Sequence, residues 1–147
     1  MPCTGIVSPF ILKARILIQR LWSLKYSWDE QLRGAELEEC KVWLSQVGHL
    51  KDFLIPRCFT EAGYEIVRRE LHVCCDASEH SFAAVAFIRT DSSDGSNFST
   101  FDMSRTRLAP LKQLTIVRLE LQAAVLAVRL ADTIKKETSY KFDETVL

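Results

Sequence analysis

The sequence predicts an α+β fold: a helical hairpin, then a three-stranded antiparallel meander and a long helix. Three observations carry this. Two apolar runs, Leu71–Cys75 and Phe82–Arg89, flank a tight polar break that begins at Asp76, the pattern of a β-hairpin. A third run of strand length, about 98–104, follows a loop at 90–97 that holds no apolar residue. From Thr115 to Lys136 the period changes to that of a helix, with Leu119, Leu126 and Leu130 on one face. Sequential strands joined by short loops pair antiparallel.

The chain before the hairpin reads as helical. Leu17, Leu21 and Leu24 follow the i, i+4, i+7 rule, so a helix is expected over about 10–25. Pro9 suits its start, where a missing N–H costs nothing. A break at Trp28–Gly34 precedes a second helix, Ala35 to about Val47. Glu36, Glu38 and Glu39 fall in its first turn, the favourable end of the dipole, and Gly48 is a candidate C-cap. Trp22, Trp28 and Trp43 read as anchors of this pair on whatever it packs against. Pro56 makes 53–58 extended, and 60–70 reads as a linker or a short strand. The division expected is a helical section, 1–60, and a second domain, 61–147.

In that second domain the first strand is apolar on both faces, as in a central strand covered on both sides. The return strand is rich in alanine, so another element must lie close on it. Arg105 to Lys112 reads as a basic loop, and Thr115 as the N-cap of the long helix. Glu120, Ala124, Ala127 and Ala131 form one row of that helix. Small residues there let the row approach a sheet and bring Glu120 near it. The last three or four residues look like the start of another strand. Asp76 at a strand end and Glu120 early in a helix are therefore the candidate pair of carboxylates. Each has a plainer reading, as a turn residue bonded to Ser78 or backbone N–H groups and as a solvated helix residue.

Bulk properties narrow the function classes. With 147 residues and no formal net charge, the chain has no global attraction for nucleic acid, though a local basic face remains open to it. No apolar run is long enough to span a membrane, and the N-terminus lacks the pattern of a signal peptide, so an intracellular location is expected rather than secretion. The five cysteines, Cys3, Cys40, Cys58, Cys74 and Cys75, form no C-x-x-C pair and read as reduced thiols. His49, His72 and His80 are too scattered to make a ligand set.

Three strands, a helix and the start of a strand, with acids on the first strand and early in the helix, match the ordered start of a ribonuclease H-like fold. Leu71–Ser78, Ser104–Lys112 and Thr115–Leu121 resemble the Pao retrotransposon peptidase family, the region after the reverse transcriptase in BEL/Pao-type retrotransposon polyproteins. Gly5–Pro9, Leu21-Trp22 and Trp28–Glu30 resemble its upstream helical section. The chain has Val117 where the family usually has proline. It stops before a further strand that carries an Asp in the family, so a truncated ribonuclease H-like unit is expected.

The resemblance implies a nuclease that cleaves RNA in RNA–DNA hybrids with two divalent ions, Mg2+ or Mn2+, held by carboxylates. It makes Asp76 and Glu120 catalytic metal ligands and lets Arg105, Arg107 and Lys112 touch phosphates. Two carboxylates are too few for two ions, so this chain is expected to be inactive alone, in a cytoplasmic particle with the rest of the polyprotein as partner. A non-catalytic nucleic-acid-binding or scaffold module is the rival reading. Peptidase activity, which the family name suggests, is disfavoured: Ser93-Asp94-Gly95-Ser96 lacks the Asp-Thr/Ser-Gly motif of aspartic peptidases.

Overall fold

The structure is a computed structural model that describes residues 5–52 and 64–147. The expected extended segment at 53–58, together with Cys3 and Cys58, lies outside the described residues. The elements are α1 (Ser8–Ser23), α2 (Gly34–Val47), β1 (Ile66–Ala77), β2 (Ser81–Ser92), β3 (Asn97–Leu108), α3 (Ile116–Glu137) and β4 (Glu144–Val146). The predicted α+β order holds, as does the meander. β1 to β3 pair antiparallel, while β4 adds to the other side of β1 in parallel, giving the order β3-β2-β1-β4.

All three long strands outrun the apolar runs that announced them. Strand β1 begins at Ile66, inside the stretch read as a linker or a short strand. The loop expected at 90–97 shrinks to Ser93–Ser96, turned by Gly95 at φ +86° and by the Asp94 carboxylate, which accepts the Ser96 N–H at 2.8 Å. Arg105 and Arg107 are strand residues, paired with Ala84 and Phe82, so the basic loop begins only at Ala109. Backbone pairing, not side-chain hydropathy, sets these ends.

Helix α3 covers one face of the sheet. Leu71 and Val73 of β1 and Ala84, Ala86 and Ile88 of β2 form the core with Leu126, Ala127, Leu130, Ala131 and Ile134. Ala84 and Ala86 of β2 are the close-packing surface the sequence predicted, and α3 is what lies on it. Among the described residues, the expectation that β1 is covered on both faces holds fully on one only. His72 is half-buried and Cys74 exposed on the other, because α1 lies toward β3 and contacts that strand. The outer face of α3 carries a second apolar row, Val117, Leu121, Val125 and Val128, all exposed.

The α1–α2 hairpin forms as expected. Trp43 stacks on Phe10 at 4.9 Å and donates its indole N–H to the Phe10 carbonyl at 3.0 Å. Arg20 pairs with Glu39 across the two helices. Among the described residues Trp22 and Trp28 anchor nothing in the core: they meet edge to face and stay 58% and 89% exposed. Gly48 does not terminate α2 in the left-handed region but continues at φ −58° into a 3-10 turn, Gly48–Asp52. Thr115 stands at the N-cap of α3 with extended backbone, yet its hydroxyl caps nothing; its carbonyl accepts from Arg118 and Leu119.

Gly5 fastens α1 to the sheet. Its carbonyl accepts both the Ser8 N–H and the Ser104 hydroxyl, each at 2.8 Å. A Cβ there would lie 2.6 Å from the Ser104 backbone nitrogen, and φ is +142°, so only glycine fits. Further along, Gln19 donates to the Ala109 carbonyl at 2.8 Å.

Candidate nucleic-acid interface

Asp76 and Glu120 occupy the same end of the sheet. Asp76 is next to last in β1, and the Ala109–Thr115 loop returns the chain to that end, with the Ala109 N–H bonded to the His80 carbonyl at 2.8 Å in the β1–β2 turn. Helix α3 starts there, and Glu120 lies one turn in, on the rim of the buried stripe beside Ala127 and Ala131. The two carboxylates approach the sheet from opposite faces. Leu71 and Val73 point to α3, so strict alternation sends Asp76 to the face where Gly5 to Pro9 lies. There it borders an apolar hollow of about 310 Å³ shared with Ile6, Pro9, Ala83 and Phe101. Both carboxylates are exposed, and Asp76 accepts the Ala77 N–H at 2.8 Å.

Oxygen donors of this kind suit Mg2+ or Mn2+. The number falls short, since no group of three or more His, Cys, Asp or Glu side chains among the described residues can hold an ion. The residues therefore do not by themselves fit a two-ion cluster. The peptidase reading gains nothing either: the Asp94 carboxylate is held to its own turn by Ser96, and those bonds lower its pKa.

Of the predicted phosphate contacts, Arg105 and Arg107 are brought together and Lys112 is not. The two arginines stand two residues apart on β3 and line a groove of about 580 Å³. Lys112 is exposed in the following loop, whose neighbours Leu111 and Gln113 border a different cavity of about 680 Å³ beside Gln19 and His80.

Sequence reasoning missed a buried charge on β1. Glu70 is only 6% exposed and faces away from α3. His72 Nε2 lies 2.8 Å from its carboxylate, and Arg68 and Arg89 stand 2.6 and 3.9 Å away. The hydrogen bond from His72, helped by the two guanidinium groups, holds its pKa below the usual carboxylate range. Arg68 also reaches Glu144 at 2.5 Å, which ties β4 to this cluster. Arg68, Glu70 and His72 alternate in the sequence, so one row of a strand was the available signal, obscured because 60–70 reads as mixed, a linker or a short strand. Asp102, at a bulge between Ala86 and Phe87, has its pKa raised by burial.

An antiparallel meander, a helix across its face and a fourth strand parallel to the first define a ribonuclease H-like unit. The chain belongs to the family described as the Pao retrotransposon-like RNaseH-like domain, whose model matches residues 2–147. Such a domain implies nucleic-acid binding and suggests the use of a divalent metal. No curated protein and no solved structure matches the chain. Among the described residues no helix is long and apolar enough to cross a membrane.

Proposed function

We propose that the chain is the nucleic-acid-handling part of a ribonuclease H-like unit in a BEL/Pao-type polyprotein, and that it does not cleave by itself. In the full protein the unit would cut the RNA strand of an RNA–DNA hybrid. Asp76 and Glu120 would be its first two carboxylates, and divalent ions, when bound, would supply the Lewis acidity and the activated water. Arg105, Arg107 and Lys112 would contact phosphates and fix the register of the duplex. The observation that carries this reading is family membership over residues 2–147, together with Asp76 and Glu120 lying toward the same end of the sheet. It also supports a module that binds nucleic acid without cutting it as the activity of this chain alone.

Incubation of the chain with a labelled RNA–DNA hybrid and Mg2+ or Mn2+ is expected to leave the hybrid intact. Metal-dependent cleavage that disappears in Glu120→Gln would overturn the claim of inactivity. Titration with Mn2+ is expected to show weak binding that Asp76→Asn diminishes; binding unchanged by that substitution removes Asp76 from the site.

A further inference from the structure

We infer that the helical section is itself part of the nucleic-acid surface, through a phosphate-binding groove that Arg15 of α1 completes with Arg105 and Arg107 of β3. This rests on the reading of the chain as a nucleic-acid-handling unit and says where the backbone is held. The groove wraps the free edge of β3, the outermost strand of the sheet. Arg15 enters from one side of that edge. Arg105 and Arg107, paired with Ala84 and Phe82, belong to the row that faces α3. Ser104 and Thr106 lie between them, and Thr133 and Glu137 at the end of α3 close the far wall.

Three features favour a phosphodiester ligand. None of the three arginines has an ion-pair partner among the described residues, whereas Arg20, Arg68 and Arg89 all do. Unneutralised guanidinium groups converging on one concavity suit phosphate oxygens, which they bind through paired N–H donors. The Thr106 hydroxyl and the outward backbone N–H groups of an edge strand add neutral donors of the kind that position a nucleic-acid backbone. Glu137 is the one acid on the wall and sits on α3, opposite the β3 arginines. Positive charge on an edge strand also deters strand pairing. That role explains Arg105 and Arg107 but not Arg15, which comes from a helix packed against that strand.

The test is fluorescence anisotropy of a labelled RNA–DNA hybrid titrated with the full chain over a range of salt concentrations. Each contacted phosphate contributes about 0.9 to the slope of log K against log salt on a B-form duplex. Arg15→Gln, Arg105→Gln and Arg107→Gln are each expected to weaken binding severalfold and to lower the slope by nearly one. Lys41→Gln, on α2 and paired with Glu38, is expected to leave the slope unchanged. Arg15 is exposed, so its substitution should leave the thermal melt in place. A slope unchanged in Arg15→Gln but reduced in the two β3 variants overturns this inference and spares the broader reading. A wild-type chain that binds no hybrid overturns both.

Discussion

At the scale of single residues, the most constrained charge is Glu70. Its carboxylate is buried on the open face of β1 and is held ionised by His72, Arg68 and Arg89. A carboxylate whose folded pKa is depressed contributes stability above its unfolded pKa, about 4.3, and that contribution fades as pH falls through the folded value. Melting temperatures measured from pH 7 down to acid should therefore fall below about pH 4.3. Glu70→Gln should melt lower than wild type at pH 7 and show a shallower acid decline. Parallel curves for the two proteins would mean that Glu70 does not carry this dependence. Asp76 shows the opposite situation. Its sequence context announced it at once, because a carboxylate between an apolar strand and a Ser-rich turn is conspicuous. What the sequence could not show was the face it takes, since that depends on which row of β1 meets α3.

At the scale of elements, α3 has two apolar faces of different standing. Leu130 is fully buried against β1 and β2, while Leu121 on the outer row is 66% exposed. Leu130→Ala should cost about 2–5 kcal/mol through lost burial and a residual cavity. Leu121→Ala should stay within about 0.5 kcal/mol. Urea unfolding of both variants checks the contrast; equal losses would mean that the outer row is covered in solution. The existence and order of the helices and strands were legible because periodicity reports burial. Strand ends were not, because Arg105 and Arg107 extend β3 through backbone pairing with β2 and leave no apolar signal. Trp22 and Trp28 are not core residues for a related reason: an aromatic side chain indicates burial only if a partner surface exists, and among the described residues their ring contact is with each other.

At the scale of the whole molecule, the helical section and the sheet are joined by specific contacts as well as by chain connection. Gly5 holds the start of α1 to β3, and Gln19 holds its end to the loop after β3. The sequence motif Gly5–Pro9 was recognisable, but its purpose was not, because the contact it makes lies with Ser104 at the far side of the chain. The joining places Arg15 beside Arg105 and Arg107, which no reading of either segment alone could bring together. Arg105 and Arg107 stood out in the sequence, but Arg15 did not, because its place beside them depends on tertiary packing.

The attachment of β4 has a consequence in time. β1 to β3 close through short turns, whereas β4 reaches Glu70–His72 only after β2, β3 and α3 have intervened. Closing so large a loop costs more entropy than closing a hairpin, and β4 returns only three paired residues for it. It is expected to dock last in folding and to open first. Amide hydrogen exchange should find the β4 amides that bond to β1 giving up their protons well before those shared by β1 and β2. Equal protection on the two sides of β1 would show that the sheet moves as one body. If β4 opens alone, the Glu70–His72 stretch of the β1 edge is periodically bare, a docking ledge that any incoming strand can compete for.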